Sequence, residues 1–375
     1  MLKVLHTADI HLGAKFLGLG NKGVSQREQL RNTFKNVIGT AIDEMVNIVL
    51  IAGDLFDSNQ QPQRNIDLVI EQFNLLDQNN IPICLIPGTH DSLDSSSIYR
   101  KVDFESKCSN LKIFTCVDIS CKEYPDLNLT VYGKPNLSNR SYISPLKGIK
   151  PSTSSKFHIA MAHGSFFIPE KTADDDHVFE SEEIKASGMD YLALGHWHEI
   201  YECLEKPPAW YPGPPEWIPK QKARGAVLLV SLSDYGEVKV EPKLLGLRDY
   251  DELDIDVSEL QDLSKLKEKI LQGANGNLVR IVTLKGLRDA ELIVNLEELK
   301  KDFGERFFHL SVMDKSHPKS GEVIEDEDRL IKNSFIKLMK EHIEDLEGEE
   351  RDIAENALQY GVALLDGKLD AKEDL

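Results

Sequence analysis

The chain has 375 residues, of which 41% are hydrophobic and 29% charged, and its formal net charge is −19. This length allows two or three domains, and the composition is ordinary for a globular protein. No apolar run approaches the roughly eighteen residues of a membrane span, so no membrane contact is expected. The negative charge argues against a protein that holds nucleic acid by bulk electrostatics, but it leaves room for a local basic groove or for an acidic site neutralised by metal.

The five cysteines are odd in number and include no Cys-x-x-Cys pair. They predict reduced thiols and a cytoplasmic location. The first residues, "MLKVLHTADIH", lack the apolar core and cleavage site of a signal peptide and predict a strand from residue 2.

The first part of the chain alternates predicted strands and helices. The strands are "LKVLHTAD", "NIVLIAGD" and "IPICLIPG". Between them lie a helix over "SQREQLRNTFKNVIGTAIDEMV", with Ser25 as its N-cap, and a helix over 62–79 with apolar residues at helical spacing. This β-α-β-α-β order predicts parallel strands with ligands at their carboxyl ends.

From about residue 111 the predicted strands follow one another without long helices, from "LKIFT" to "GEVKVEPKLL". They predict a second, mainly antiparallel sheet packed on the first. The predicted fold class is therefore α/β, a four-layer α/β/β/α sandwich over residues 1–245.

The remainder of the chain predicts two further regions. Residues 249–313 read strand, helix, strand, helix, strand, which predicts a small α+β domain within 246–316. After the linker "DKSHPKSGE", residues 317–375 hold two predicted amphipathic helices, 327–346 and 349–366.

Five short motifs place Asp or His where predicted strands end. They are "ADIH", "GDLFD", "GTHD", "AHG" and "GHWH". Strand ends of an open α/β sheet converge on one crevice, and residues i and i+2 of an extended chain point the same way. A single such residue is usually a solvated turn residue or a cap, but independent turns do not explain five motifs in this order.

Imidazole and carboxylate are ligands for Mn²⁺, Fe²⁺ or Zn²⁺. Six such side chains are too many for one tetrahedral zinc ion, but they suit two ions that share a bridging carboxylate. Two ions of this kind can bind the attacking and the leaving oxygen of an in-line phosphoryl displacement. The six predicted ligands are Asp9, His11, Asp54, His163, His196 and His198.

These motifs resemble those of the calcineurin-like metallophosphoesterases, and more narrowly the SbcD-type DNA-repair exonucleases. "HTADIHLG", "AGDLFD" and the segment "AWYPGPPE" carry the narrower resemblance. It covers about residues 1–315, and it implies that 246–316 is a DNA-capping domain. It also implies a Mn²⁺-dependent exo- and endonuclease that acts on DNA phosphodiesters in DNA repair.

The resemblance also implies individual roles. One Mn²⁺ would be held by Asp9, His11, Asp54 and His198, and the other by Asp54, His163, His196 and the residue at position 89. His90 would be the general acid, and Asp91 would orient it. Position 89 departs from the family because Thr89 stands where an Asn is expected. A hydroxyl is a poorer ligand than an amide oxygen and reaches less far, so the expectation is a working site with a weaker second ion.

The resemblance implies partners as well. They are DNA, an SMC-like (SbcC-type) ATPase bound by the C-terminal helices, and a second copy of the chain bound through the helix at 62–79. Two other functions stay open. One is a small-molecule phosphodiesterase, and the other is a scaffold with little catalysis that bridges DNA ends or recruits an ATPase.

Overall fold

The computed structural model describes residues 1–219, 221–260, 262–288, 294–318, 329–344 and 346–366. The chain divides into two compact units, Met1–Tyr250 and Asp251–Leu375. The three-part division at residues 245 and 316 stays a prediction, and the predicted linker 314–322 lies partly outside the described residues. Every helix among the described residues is too short or too polar to span a bilayer.

The first unit contains two six-stranded sheets. Its strands are β1 (Leu2–Thr7), β2 (Ile48–Ile51), β3 (Ile83–Leu85), β4 (Leu111–Ile113), β5 (Ser120–Tyr124), β6 (Leu129–Gly133), β7 (Phe157–His163), β8 (Tyr191–Gly195), β9 (Tyr201–Glu205), β10 (Pro208–Tyr211), β11 (Ala226–Leu232) and β12 (Val238–Leu244). Its helices are α1 (Lys22–Asp43), α2 (Gln63–Gln78), α3 (Ile98–Lys101) and α4 (Ser181–Ala186).

The first sheet has the order β12-β11-β1-β2-β3-β4. Strands β1 to β4 are parallel to one another, as the alternation of strands and helices predicts. The last two strands return to this sheet and pair antiparallel, β11 with β1 and β12 with β11. The carboxyl ends of β1, β2 and β3 therefore lie side by side.

The second sheet has the order β5-β6-β7-β8-β10-β9, and the prediction that it is mainly antiparallel is wrong. Its central pairs, β6 with β7, β7 with β8 and β8 with β10, are parallel, and only the two edge pairs are antiparallel. Parallel neighbours need a crossover of a dozen or more residues. The segments 134–156 and 164–190 provide this length, largely as loops with little helical pattern in the sequence.

The two sheets face each other across one apolar core. Leu2 and Val4 of the first sheet belong to the same buried cluster as Val131 and Ile159 of the second. Helices α1 and α2 bury their apolar faces, and the ring centroids of Phe34 and Phe73 lie 6.3 Å apart between them. The short helix α4 packs on the second sheet. This confirms the predicted α/β fold with two multi-stranded sheets and helices.

Helix α1 begins at Lys22, before the predicted N-cap Ser25. A β-carbon at Gly23 would lie 2.8 Å from the carbonyl oxygen of Phe16, so the glycine lets the first turn pack against that carbonyl. The pattern of apolar residues in the sequence does not predict this backbone contact.

The carboxylate of Glu216, in the "YPGPPE" segment, is fully buried. It accepts hydrogen bonds from the Thr33 hydroxyl of α1 at 2.7 Å and from the backbone N–H groups of Leu247 and Arg248. This segment therefore joins α1 to the chain that follows β12.

The second unit contains β13 (Asp249–Asp256), whose first residues belong to the first unit, β14 (Leu278–Lys285), β15 (Leu287–Arg288), β16 (His309–Asp314), β17 (His317–Pro318), α5 (Leu263–Leu271), α6 (Leu296–Phe303), α7 (Leu330–Glu344) and α8 (Gly348–Leu365). Strands β13, β14 and β16 form a sheet in that order, and their apolar cluster includes residues of α5 and α6. Helices α7 and α8 pack through a separate cluster that includes Ile336 and Leu358. The predicted C-terminal helices are therefore present.

Candidate metal centre

The five motifs follow the carboxyl ends of β1, β2, β3, β7 and β8. The structure brings their side chains together at one end of the two sheets, where their ligand atoms form two overlapping groups. Asp9, His11 and His198 form the first cluster, and Asp9, Asp54 and His163 form the second cluster. Within each cluster the ligand atoms lie within 4.8 Å of one another. Asp9 belongs to both clusters, and Asp54 Oδ2 lies 3.8 Å from His11 Nε2, so either carboxylate can reach both.

The backbone of the site is unusual. Asp9, His11, Asp54 and His196 all have positive φ angles, of 53°, 49°, 51° and 112°. Non-glycine residues rarely adopt this region, and such strain concentrates at functional sites because the surrounding structure must hold it. Four of the six predicted Asp and His ligands therefore have backbone conformations that cost local stability.

One glycine permits the close approach of two of these loops. A β-carbon at Gly88 would lie 2.3 Å from Asp54 Oδ1 and 2.5 Å from the Asp54 nitrogen. Any side chain there would push the loop after β3 away from the loop after β2. Gly88 thus lets residues 89–91 contact Asp54.

Thr89 faces the second cluster. Its side-chain oxygen lies 3.2 Å from Asp54 Oδ2, to which it donates, and 3.4 Å from His163 Nε2. The residue is 6% exposed. The hydroxyl therefore occupies the place in which the family resemblance puts a ligand, and it is hydrogen-bonded to Asp54, a predicted ligand.

Hydrogen bonds fix which nitrogen of His163 faces the cluster. Its Nδ1 lies 2.8 Å from the carbonyl oxygen of Ala52, which can only accept, so Nδ1 carries the proton. The other nitrogen, Nε2, faces the cluster and lies 3.3 Å from Asp54 Oδ2. Metal-binding imidazoles are commonly held in this way by a carbonyl on their other nitrogen.

His196 lies beside the second cluster but its ring nitrogens belong to neither group. Its ring centroid is 5.2 Å from that of His163, while its Nε2 lies 3.0 Å from Asp176 Oδ2. Its backbone N–H donates to both carboxylate oxygens of Asp9 at 3.1 Å. The loop after β8 is thereby attached to the loop after β1.

The loop after β3 presents His90, half-exposed, next to Asp57. His90 Nδ1 lies 3.2 Å from the carbonyl oxygen of Asp57, and its ring packs edge-on against His11 at 4.7 Å. Asp91 has other partners than the imidazole of His90, which it was expected to orient. It accepts from the N–H groups of Gly88 and Phe56, at 2.7 and 3.1 Å, and from the Tyr99 hydroxyl at 2.6 Å.

Electrostatics agree with a cation site. Burial raises the pKa of Asp9, and it would raise that of Asp54 too, but His163 and His11 hold the pKa of Asp54 well below its usual range. Burial opposes protonation of His163, yet the carboxylates of Asp54 and Asp9 raise its pKa to about 9. Within the described ranges, no lysine or arginine forms an ion pair with either carboxylate.

The residues present fit divalent metal ions. Both ring nitrogens of His11 are buried without a well-formed hydrogen bond among the described residues, and their nearby carboxylate oxygens, of Asp57 and Asp54, lie at 3.4 and 3.8 Å. A buried polar atom without a partner costs about 1–3 kcal/mol, so such atoms call for an explanation. Buried imidazole nitrogens next to buried carboxylates are the donors that Mn²⁺, Fe²⁺ and Zn²⁺ accept.

Two acidic neighbours of the site are not among the predicted ligands. Asp57 Oδ1 lies 3.4 Å from His11 Nδ1, and Asp57, His11 and His90 form a third group of possible ligands. Asp176 contacts His196, and although burial opposes this, the hydrogen bond from His196 lowers its pKa to about 2. Asp57 is the last residue of the motif "GDLFD", whereas nothing in the local sequence marks Asp176.

A cavity of about 680 Å³ opens beside the centre. Its lining combines His196 and His198 with aromatic and cationic side chains, namely Trp197, Tyr201, Lys171 and Lys222. The lining also includes Asp176 and Glu199, so two carboxylates balance the two lysines. A substrate that reaches the clusters from this side meets aromatic rings and charges of both signs.

Comparison with known proteins identifies relatives of this chain. The chain is 28% identical over 220 residues to the uncharacterized metallophosphoesterase YhaO of Bacillus subtilis, a match that covers 56% of this chain and 52% of that protein. It is 30% identical over 257 residues to the DNA double-strand break repair protein Mre11 of Aeropyrum pernix, covering 62% of this chain and 58% of the relative. It is also 28% identical over 291 residues to the DNA double-strand break repair protein Mre11 of Sulfolobus acidocaldarius, a match that covers 72% of each chain.

The chain thus spans little more than half the length of the first two relatives. The family described as calcineurin-like phosphoesterase matches residues 2–200. This range contains every residue of the two clusters, together with His90 and His196. The chain belongs to the calcineurin-like phosphoesterase family.

Proposed function

We propose that the protein is a Mn²⁺-dependent phosphodiesterase that cleaves DNA, as the exo- and endonuclease subunit of an SbcCD-like repair complex. The observation that carries the proposal is the pair of ligand clusters, which Asp9 and Asp54 connect at the converging strand ends. The DNA substrate is supported by the relatives named DNA double-strand break repair protein Mre11.

In this proposal Asp9, His11, Asp54 and His198 hold one ion, and Asp54, Thr89, His163 and His196 hold the other. Bound divalent ions supply Lewis acidity and lower the pKa of water towards neutrality. Asp54 is the shared ligand, since its Oδ2 lies 3.3 Å from His163 Nε2 and 3.8 Å from His11 Nε2.

His90 is the proposed general acid. Because the carbonyl of Asp57 accepts at Nδ1, that nitrogen carries a proton, and Nε2 is left to exchange one with the leaving oxygen. The backbone N–H of His90 donates to Asp54 Oδ1 at 2.8 Å, which fixes the loop relative to the shared ligand. Asp91 contributes by holding the loop backbone through Gly88 and Phe56.

Helices α7 and α8 are the proposed contact to an SMC-like ATPase. Four large apolar side chains on them are more than three-fifths exposed, namely Leu330, Ile331, Leu338 and Ile353. Exposed apolar residues on neighbouring helices fit the docking of a partner. Ile331→Glu combined with Leu338→Glu should abolish co-purification of the ATPase. Val24→Glu, at an equally exposed apolar position on α1, should not.

A homodimer through α2 is also proposed. The apolar residues Ile66, Val69 and Phe73 face inward, which leaves Leu75, 38% exposed, on the outer side. Leu75→Glu should convert a dimer into a monomer in light scattering, and an unchanged mass would contradict this interface.

A scaffold with little catalysis is the second candidate function. The hydrogen bond of Thr89 to Asp54 favours it, since it satisfies part of the second cluster without an ion. Metal analysis and cleavage of labelled single- and double-stranded DNA in Mn²⁺ separate the two. Two bound ions with Mn²⁺-dependent cleavage support the nuclease. DNA or ATPase binding without cleavage at saturating Mn²⁺ supports the scaffold.

A further inference from the structure

A short chain of hydrogen bonds connects His196 to the loop between β7 and β8. The indole N–H of Trp197 donates to the Ser165 hydroxyl at 3.1 Å, and that hydroxyl donates to Asp176 Oδ2 at 2.6 Å. The same carboxylate oxygen lies 3.0 Å from His196 Nε2. Asp176 thus accepts from a histidine that the proposal makes a metal ligand.

The backbone holds Asp176 in this place. The N–H of Ser165 donates to the carbonyl of Asp176, and the N–H of Phe179 donates to the carbonyl of Ser165. The N–H of Ser141 and the N–H of His177 connect the loop to the segment 138–141. The carboxylate therefore rests on a fixed loop.

This contact decides which nitrogen of His196 can bind a metal ion. A carboxylate accepts, so Nε2 carries the proton, and Nδ1 is the nitrogen with a free lone pair. The ring lies beside His163, and the turn that carries it is held by the bonds of its N–H to Asp9. His163 has the opposite arrangement, with Nδ1 protonated and Nε2 facing Asp54.

The neighbouring carboxylate, Asp175, shows that a negative charge in this loop is not enough to give a contact with a predicted ligand. Asp175 forms an ion pair with Arg140 at 2.8 Å, and both side chains reach solvent. Only Asp176 of the two contacts a predicted ligand. The two residues therefore form a matched pair for experiment.

We infer that Asp176 is a positioning residue for the second metal ion, which it serves by fixing the tautomer and orientation of His196. This inference rests on the proposed function of the site. Carboxylates that accept from metal-binding histidines fix the ring and raise its basicity, and their loss typically costs about 10–100-fold in metal affinity.

The test is calorimetric titration of Mn²⁺ into the metal-free full chain of the wild type, Asp176→Ala, Asp176→Asn and Asp175→Ala. The wild type should bind two ions. Asp176→Ala should weaken one of them about 10–100-fold and leave the other unchanged. Asp176→Asn, which can still accept through its amide oxygen, should lose less, and Asp175→Ala should match the wild type.

The outcomes separate the inference from the function beneath it. If the wild type binds two ions and both Asp176 variants bind them with wild-type affinity, the inference is overturned and the proposed function stands. A lower melting temperature without a change in affinity also overturns the inference, because it shows a purely structural role. If Asp176→Ala does not fold, the affinity of Asp176→Asn decides. If the wild type binds no ion, the proposed function itself is contradicted, and the inference falls with it.

Discussion

The two clusters of the candidate site differ in how their side chains are satisfied. In the first cluster the ring nitrogens of His11 are buried without a well-formed hydrogen bond among the described residues. In the second, Thr89 donates to Asp54, and His163 is anchored by the carbonyl of Ala52. The ring nitrogens of His11 have long carboxylate contacts, at 3.4 Å to Asp57 and 3.8 Å to Asp54, whereas the second cluster is partly closed by its own hydrogen bonds.

This difference has an energetic consequence. An ion that enters the first cluster gains ligand bonds without breaking any hydrogen bond of His11. An ion that enters the second cluster must displace the hydrogen bond between Thr89 and Asp54, or tolerate a hydroxyl held elsewhere. A hydrogen bond to a charged group contributes about 1.5–3 kcal/mol, so the first ion should bind more tightly than the second.

The largest expected effect comes from the carboxylate that reaches both clusters. Asp54→Asn keeps the shape of the side chain but removes the charge that both ions would share. We expect binding of the second ion to be lost, binding of the first to weaken, and cleavage to fall further than for any other single change. Metal analysis and DNA cleavage measure this, and a variant that keeps both ions would show that Asp9 is the shared ligand instead.

The next effect separates the acid from the ligands. His90→Ala should lower the cleavage rate by about 10²–10⁴-fold, the usual contribution of a general acid, while both ions remain bound. His342→Ala, which removes an exposed histidine of α7, is the control and should cleave like the wild type. Nearly full activity in His90→Ala would assign the proton transfer to another group, and Asp57, whose Oδ1 lies 4.0 Å from His90 Nδ1, is a candidate.

The sequence predicted the part of the site that lies next to strand ends. The alternation in "DIH" and "HWH" does not explain it, because Asp9, His11 and His196 have positive φ angles and are therefore not extended. Parallel strands bring their carboxyl ends together. Asp9, His11 and His198 meet for that reason. The same rule gathers Asp54 and His163.

The parts that escaped prediction depend on long loops. Asp176 reaches His196 across the connection from β7 to β8, whose length also makes those strands parallel where an antiparallel sheet was expected. One of the three hydrogen bonds of Asp91 comes from Tyr99, a residue of α3 brought in by packing. Contacts of this kind come from tertiary structure and leave no periodic signal in the sequence.

The smallest effect tests the comparison most directly. Thr89→Asn should place an amide oxygen, a better ligand with a longer reach, where the hydroxyl now donates to Asp54 Oδ2 at 3.2 Å. A gain of about 1.4 kcal/mol for the second ion would lower the half-saturating Mn²⁺ concentration about tenfold. At saturating Mn²⁺ the variant and the wild type should cleave at the same rate, because the gain lies in binding.

Two further variants identify the cause. Thr89→Ser keeps the hydroxyl and should require the same Mn²⁺ concentration as the wild type. Thr89→Ala removes the hydrogen bond to Asp54. It should bind the second ion more tightly than the wild type if the hydroxyl only blocks the site, and more weakly if the hydroxyl is a ligand. Cleavage rates of all four proteins, measured over a range of Mn²⁺ concentrations, give the order of their half-saturating Mn²⁺ concentrations. If Thr89→Asn needs as much Mn²⁺ as the wild type or more, the second cluster is adapted to a hydroxyl, and the difference between the clusters does not lie at residue 89.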